Sequence, residues 1–216
     1  MKNLFVVAVS IIVFASCQKG NDININININ STINYLPLDI GNYWVYQEFN
    51  IDADGISTET SKFDSIIIVG DTLINNNTFY VFTKTKMYSD GTEKEFIDFL
   101  RDSSGYIVDE NGRRRFSEDN FIDTIYKETQ LGGLGDTIYT CSYRMENTEI
   151  MISVPAGEFE VLNVRGTVID KRENHNHDPR YTNSYYANGV GRVLSSYFWL
   201  EAPDSMESRL IRYHVR

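Results

Sequence analysis

The stretch that decides the fold is a strand, a turn and a second strand: Thr78-Phe79-Tyr80-Val81-Phe82-Thr83-Lys84-Thr85-Lys86-Met87-Tyr88, then Asp90-Gly91, then Glu95-Phe96-Ile97-Asp98-Phe99-Leu100-Arg101. The first segment alternates apolar and polar side chains over much of its length, which is typical of a strand with one buried face. Asp-Gly supplies the positive φ that a tight hairpin turn needs. The stretch therefore predicts an antiparallel β-hairpin.

The same unit recurs on both sides of this hairpin. Residues 43–49 are aromatic and β-branched, residues 63–69 end in Gly70-Asp71, and residues 106–108 precede Asn111-Gly112. Further strands are predicted over residues 121–126, 137–144, 149–154, 159–169, 181–187, 192–200 and 207–215. No segment shows a long 3.6-residue apolar period. Successive hairpins without crossover helices imply an antiparallel meander.

A meander of about a dozen strands must protect its two edges by closing into a barrel, folding into a sandwich or curling into a half-open sheet. We expect an all-β, mainly antiparallel fold: a meander forming a curved half-open barrel or barrel-like sheet with little helix. Residues 35–216 are interpreted as a single β domain. The best candidate break, Leu131-Gly132-Gly133-Leu134-Gly135-Asp136, is interpreted as a bend or wide loop.

The first residues have the parts of a secretory signal: Lys2, an apolar run over residues 4–15, and small side chains before Cys17. The run is shorter than the ~20 apolar residues that span a bilayer. Phe14-Ala15-Ser16-Cys17 resembles the lipobox of bacterial lipoproteins. The resemblance implies that residues 1–16 are removed and that Cys17 carries diacylglycerol and a further acyl chain such as palmitate. The alternatives are an ordinary signal peptide and an uncleaved anchor.

Residues 17–34 form the lipidated N-terminus and a tether in this interpretation. The run Cys17-Gln18-Lys19-Gly20-Asn21-Asp22 resembles the post-cysteine region of Bacteroidetes lipoproteins, some of which reach the cell surface. The resemblance implies a lipid anchor in the outer membrane, with the periplasmic or the surface leaflet left open. The Ile-Asn repeat over residues 23–30 is interpreted as low-complexity tether, with pairing to the domain edge as the alternative.

Composition excludes some partners. The chain has 216 residues and a net charge of −10, which argues against nucleic acid and anionic headgroups as partners. Cys141 is the one cysteine besides Cys17, so lipidation of Cys17 leaves no internal disulfide. The 14 Tyr, 12 Phe and 2 Trp residues favour sheet.

Three stretches carry a wider resemblance: Leu38-Asp39-Ile40-Gly41-Asn42-Tyr43-Trp44-Val45-Tyr46, Val154-Pro155-Ala156-Gly157-Glu158-Phe159-Glu160-Val161 and Tyr185-Tyr186-Ala187-Asn188-Gly189-Val190-Gly191-Arg192-Val193. They resemble stretches of secreted, mostly uncharacterised Bacteroidetes lipoproteins. The sheets of that group resemble the curved half-barrels of lipoprotein carriers such as LolA and LolB. The resemblance implies a fold more than an activity.

Two clusters are candidate metal sites. Asn50, Asp52 and Asp54 place oxygen ligands at alternate positions before Gly55, as at the start of a Ca²⁺ loop. Ser61 stands where such a loop needs a bidentate acid, so an acidic hairpin tip is the alternative. His175, His177 and Asp178 could bind zinc with a fourth ligand from elsewhere, or form a solvated loop. No metal and no cofactor is assigned.

Motifs of catalysis are missing: the chain has no Gly-x-Ser-x-Gly elbow, no Gly-rich phosphate loop and no Cys-x-x-Cys. Cys141 lies in an alternating strand and is interpreted as a packed thiol. Paired carboxylates for glycoside hydrolysis cannot be recognised from chain spacing. We therefore expect a protein that is not an enzyme.

Five Asp-Ser/Thr-aliphatic sites resemble those that Bacteroidetes O-glycosylate after export; their hydroxyls are Ser65, Thr72, Thr124, Thr137 and Ser205. The alternative is strand entry after a turn.

The sequence thus predicts a lipid-anchored β-protein of the cell envelope that binds an apolar ligand or a partner protein. A structural scaffold with a filled core is the alternative, and an enzyme acting on envelope glycans is the third class. An apolar cavity would favour the first, a filled interior the second and convergent Asp and Glu side chains the third.

Overall fold

The computed structural model of the protein describes residues 35–88, 90–175 and 178–216. This part of the chain forms twelve strands and no helix. Their bounds are β1 (Tyr43–Ile51), β2 (Ser57–Ile74), β3 (Asn77–Met87), β4 (Glu93–Ser103), β5 (Tyr106–Asp109), β6 (Arg114–Ser117), β7 (Thr124–Leu131), β8 (Thr137–Val154), β9 (Gly157–Asp170), β10 (Arg180–Ala187), β11 (Gly191–Phe198) and β12 (Ser205–His214). Accordingly, the described residues include no helix with the length and apolarity needed to cross a membrane.

All twelve strands belong to one antiparallel sheet, in the order β6-β5-β4-β3-β2-β1-β12-β11-β10-β9-β8-β7. The first strand pairs with the last, so that Tyr43 lies opposite His214 and Ile51 opposite Ser205. The two edges are therefore β6 and β7, which follow each other in the chain. The expected all-β antiparallel meander is confirmed.

The sheet curls until its edges meet without forming a ladder among the described residues. Near the edges, the Arg113 guanidinium lies 5.6 Å from the centre of the Tyr126 ring. The Ser117 amide of β6 donates a hydrogen bond to the Met145 sulfur of β8 across 3.4 Å. The result is a nearly closed barrel with one seam, between β6 and β7.

The barrel has a closed end and a loop end. In a meander, connections after even-numbered strands lie at one end and those after odd-numbered strands at the other. The segment before β1 lies at the first of these ends, where Leu36 and Leu38 pack against both apolar clusters of the interior. We call this the closed end and the other the loop end.

Two apolar clusters fill the interior towards the closed end. The first includes Trp44, Tyr46, Ile68, Phe82, Val193 and Leu210. The second includes Ile107, Phe116, Ile125, Met145, Leu162 and Val164. Burying each large apolar side chain contributes about 1.5–3 kcal/mol, so these clusters stabilise a barrel that has no disulfide among the described residues.

The stretches that carry the family resemblance meet at the closed end. Trp44 donates its Nε1–H to the Val190 carbonyl at 2.6 Å, and the Tyr46 hydroxyl donates to the Arg192 carbonyl at 2.9 Å. Gly191 has a φ of 101°, and a Cβ there would lie 3.1 Å from Trp44 Nε1. The Ala156 amide bonds to the Leu210 carbonyl at 3.0 Å. These stretches are therefore structural.

Strand bounds differ from the prediction most in β2, β6, β7 and β8. The predicted strand over residues 63–69 is part of an 18-residue β2, in which Gly70 follows a bulge. The turn after β2 uses Asn75 and Asn76, with φ of 50° and 61°. Residues 137–144 and 149–154 belong to one strand, β8, and β6 was not predicted. The turns at Asp90-Gly91 and Asn111-Gly112 are confirmed, and residues 132–136 join β7 to β8.

Candidate binding cavities of the barrel

The barrel interior is not filled beyond the two apolar clusters. An outer cavity of about 470 Å³ lies at the loop end, between β7, β8, β9, β10 and the end of β11. An inner cavity of about 630 Å³ lies beside the seam, lined by residues of β3–β11. Tyr143 lines both cavities.

The alternation of side chains along β8 determines which residues line the outer cavity. Tyr139, Cys141 and Tyr143 occupy alternate positions of β8 and share the face of the core residue Met145. On β9, Val168 lies opposite Cys141 and completes this wall. The cavity is therefore bounded mainly by apolar and aromatic atoms.

Gly166 makes room for the Tyr143 ring. It lies opposite Tyr143 on β9. A Cβ at this position would lie 2.9 Å from the Tyr143 ring and 3.1 Å from the Cys141 sulfur, and it would also overlap the Thr182 hydroxyl. Glycine is therefore the residue that lets these three side chains approach the strand.

The connection between β11 and β12 forms the rim of the outer cavity. Trp199 in this connection is 66% exposed, and its ring makes an edge contact with Tyr197 at 6.5 Å. Arg180 holds the connection by lying over the Phe198 ring at 3.8 Å and donating to the Ala202 carbonyl at 2.8 Å. Trp199 thus places an exposed aromatic ring at the mouth of the outer cavity.

Arg172 ties the rim to the neighbouring connection. It forms ion pairs with Asp170 at 2.7 Å and Glu201 at 2.6 Å. Hydrogen bonds from Arg172 lower the pKa of Asp170 to about 2. Asp170 therefore stays ionised, and the pairing lasts, at any ordinary pH.

Two tyrosine hydroxyls of the outer cavity donate to carboxylates. Tyr143 donates to Glu128 Oε1 at 2.9 Å, and Tyr197 donates to Glu48 Oε2. Burial raises the pKa of both tyrosines most, and Cys141 and Glu128 raise that of Tyr143 further, as Glu48 does that of Tyr197. Both hydroxyls therefore remain protonated and act as fixed donors.

Cys141 is 2% exposed, which confirms that it is a packed thiol. Burial raises its pKa, so the neutral thiol predominates. A nucleophilic cysteine needs a lowered pKa instead. Cys141 therefore serves as an apolar part of the cavity wall.

The inner cavity has a charged lining. The Lys84 ammonium pairs with the Asp98 carboxylate, and Arg115 pairs with Asp109 at 2.8 Å. Arg192 lies over the Tyr46 ring, with 4.8 Å between the guanidinium carbon and the ring centre. Burial raises the pKa of Tyr46 to about 12.

The candidate calcium residues lie at the β1–β2 hairpin. Asn50 is in β1, opposite Met206. Asp52 Oδ1 accepts hydrogen bonds from the amides of Asp54 at 3.0 Å and Ile56 at 2.8 Å, which is turn chemistry. The described residues contain no group of three or more His, Cys, Asp or Glu side chains that could hold a metal. The calcium candidate is therefore untested, and the acidic hairpin tip remains its alternative.

The histidine cluster is described in part. His175 Nδ1 lies 3.7 Å from Asp170 Oδ2, while Asp178 and His175 line a groove outside the rim. His177 lies outside the described residues. His214 is exposed in β12 and stacks on Tyr43 at 5.9 Å.

The predicted modification sites are spread over the barrel. Thr124, Thr137 and Ser205 are the first residues of β7, β8 and β12, positions that the alternative of strand entry after a turn also expects. Ser65 and Thr72 lie within β2, and Ser65 is exposed. Cys17 lies outside the described residues. Lipidation and glycosylation stay predictions.

The sequence did not identify Glu128, Tyr143, Gly166 or Arg192 as site residues. Alternation along β8 could have placed Tyr139, Cys141 and Tyr143 on one face. Which face lies inside depends on the pairing with β7 and β9, and local sequence does not specify that pairing.

The comparisons with known proteins give two similar solved structures. One is a candidate exported protein with a YmcC-like fold from Bacteroides fragilis, with 14% sequence identity and a TM-score of 0.48. The other is a candidate lipoprotein from Parabacteroides distasonis, with 11% identity and a TM-score of 0.49. Each match covers 83% of this chain and 98% of the other chain. No family model matches the chain, and no curated protein matches it.

Proposed function

We propose that the protein is a binding protein of the bacterial cell envelope that holds a small ligand with an apolar body in its outer cavity. The observation that carries this proposal is the open volume of about 470 Å³ with apolar walls at the loop end. Small-molecule sites have volumes of roughly 300–1,000 Å³ and combine apolar walls with a few placed polar groups. The hydroxyl oxygens of Tyr143 and Tyr197 are such polar groups and act towards a ligand as acceptors, because their protons are donated to Glu128 and Glu48.

The proposed location is the outer membrane, with the chain anchored by lipid on Cys17. The lipobox-like residues 14–17 support the anchor. Several acyl chains make such anchoring durable, because each buried CH₂ contributes about 0.8 kcal/mol. O-glycosylation at exposed sites such as Ser65 and Thr124 would follow export.

A structural scaffold is the second candidate, because two apolar clusters fill the closed end. The third candidate, an enzyme, has less support, because the carboxylates of the outer cavity already have partners. Glu128 accepts a hydrogen bond from Tyr143, and Glu201 is paired with Arg172. Both acids thus have structural roles, and we propose no catalytic residue.

The binding function can be tested with N-phenyl-1-naphthylamine, a neutral apolar fluorophore that accepts energy from tryptophan. The full chain, produced in a Bacteroidetes host and placed in phosphatidylcholine vesicles, should show saturable energy transfer from Trp199. Val168→Phe fills the cavity and should weaken binding at least tenfold. Ile169→Phe, at the next position along β9 and outside the cavity lining, is the matched control and should bind like the original chain.

Two outcomes would overturn the proposal. One is the same titration curve for Val168→Phe and Ile169→Phe. The other is a signal in the original chain that rises linearly with probe, as expected for partitioning into the bilayer alone. Trp199→Phe reports how much of the transfer comes from the rim, since the chain has 2 Trp residues.

A further inference from the structure

Arg192 is a half-buried cation that lines the inner cavity and forms no ion pair among the described residues. Its Nε is buried and has no hydrogen-bond partner among the described residues. Among the same residues Arg192 lies over the Tyr46 ring, and the Asp64 carboxylate, which is paired with Lys86, acts on its charge only from beyond ion-pairing distance. A buried charge is costly unless it is paired and hydrogen-bonded.

Other basic side chains lie around the inner cavity together with Arg192. Five basic and three acidic side chains line the inner cavity, although the whole chain has a net charge of −10. Two of the basic side chains are neutralised by their partners, Lys84 by Asp98 and Arg115 by Asp109. The side chains that remain are Arg113, Arg114, Arg192 and Glu110, and their net charge is positive. They line the same open volume of about 630 Å³.

We propose that the inner cavity is an anion-binding site, in which Arg192 holds the carboxylate or phosphate group of a small organic ligand. The planar guanidinium matches both groups with two parallel hydrogen bonds. Ser184 and Tyr186 line the same cavity and add hydroxyl donors. The site is independent of the proposed apolar site, because Tyr143 alone is shared among the described lining residues.

Arg101 is a matched control for Arg192, because it has a similar local environment but does not line the inner cavity. Its Nε is also buried without a hydrogen-bond partner, and its guanidinium lies over the Phe79 ring at 5.4 Å. Its Nη1 reaches the Asp102 carbonyl at 3.4 Å, and Arg101 is absent from the described lining of the inner cavity. Arg101 therefore matches Arg192 in local chemistry but not in access to the cavity.

The test is calorimetric titration of the full chain in uncharged maltoside micelles with inorganic phosphate, hexyl phosphate and hexanoate. We expect saturable binding of at least one of the two organic anions. Arg192→Met should weaken it at least tenfold, Arg192→Lys should retain part of it, and Arg101→Met should leave it unchanged. Inorganic phosphate binding as tightly as hexyl phosphate would identify a free anion as the ligand and contradict an organic one.

A second readout keeps the proposal falsifiable if Arg192→Met does not fold. The ¹⁵Nε resonance of Arg192 in the original chain should move on titration, while that of Arg101 stays in place. Absence of binding by all three anions, or equal weakening by Arg192→Met and Arg101→Met, would overturn the proposal.

Discussion

Trp44 and Trp199, the two tryptophans of the chain, have opposite environments. Trp44 is 2% exposed at the closed end and donates to the Val190 carbonyl, whereas Trp199 is 66% exposed on the rim. Trp44→Phe removes the donor, leaves that carbonyl unpaired and opens a small void. We expect it to lower the free energy of unfolding by about 2–4 kcal/mol.

Urea unfolding followed by circular dichroism measures this change. Trp199→Phe is the matched control and should stay within about 0.5 kcal/mol of the original chain, because exposed substitutions usually do. Equal losses in the two variants would show that the closed end does not dominate stability.

Tyr46 makes stability sensitive to alkaline pH. Burial raises its pKa from 10.0 to about 12 in the folded chain. The folded state therefore keeps a proton that the unfolded state loses between these values, and stability falls as the pH rises through this window. One such group contributes up to about 3 kcal/mol.

The loss should appear in urea unfolding at pH 9 and pH 11. Tyr46→Phe should reduce the difference between the two pH values, although burial also raises the pKa of Tyr186 and part of the loss will remain. Tyr181→Phe, at an exposed position of β10, is the control. If the free energy of unfolding falls as much between pH 9 and pH 11 in Tyr46→Phe as in Tyr181→Phe, the assignment to Tyr46 is wrong.

At the scale of the element, β9 depends on Gly166 for its contact with β8 and β10. Gly166→Ala would push a methyl group against the Tyr143 ring and the Cys141 sulfur. We expect a loss of about 1–3 kcal/mol, as for other insertions into packed sites. Thermal unfolding of the full chain measures it.

Gly133→Ala is the matched control for this substitution. Gly133 lies in the β7–β8 connection, and a Cβ there would have no heavy atom within 4 Å. Its unfolding temperature should stay the same or rise slightly. A similar fall in both variants would mean that backbone freedom, and not the contact with Tyr143, is what Gly166 provides.

The seam strands β6 and β7 should open before the rest of the sheet. Each has a single hydrogen-bonded neighbour, whereas β1 lies between β2 and β12. Amide hydrogen exchange should therefore be faster in β6 and β7 than in β1 and β12. Equal protection of β7 and β1 would show that the seam is sealed in solution.

Element by element, the sequence predicted hairpins better than strand limits. The segment over residues 78–88 and the turns at Asp90-Gly91 and Asn111-Gly112 contain their own signals, alternation and positive φ. Arg114–Ser117 has no such signal, because its four residues begin with two arginines, and β6 was missed. Gly70 looked like the end of a strand, but β2 continues past the bulge to the Asn75-Asn76 turn.

At the scale of the whole molecule, the cavities could not be predicted from the sequence. Arg192 and Tyr46 are far apart in the chain and meet because β1 pairs with β12, which pairs with β11. Register then decides which side chains face inward, and a shift of one residue would reverse every face. Composition predicted an acidic protein, but only closure of the sheet gathers basic side chains around the inner cavity.

The position of the seam has a consequence for chain connectivity. The Arg216 amide bonds to the Asn42 side chain at 3.1 Å, so the start of β1 and the end of β12 are neighbours. A circular permutant with a linker from Arg216 to Tyr35, which keeps Leu36 and Leu38, and a cut in the connection after Ser117 would contain the order β7–β12 followed by β1–β6. Every hydrogen-bonded strand pair would then be consecutive in the chain.

This permutant should form the same sheet and refold faster than the original order. The original chain must close one very long loop to pair β1 with β12, and pairing across long loops slows folding. Stopped-flow refolding compares the two rates, and equal rates would mean that β1–β12 pairing follows the limiting step. If the permutant refolds faster, the barrel is built as a series of consecutive hairpins, and β1 and β12 lie together in the middle of the sheet.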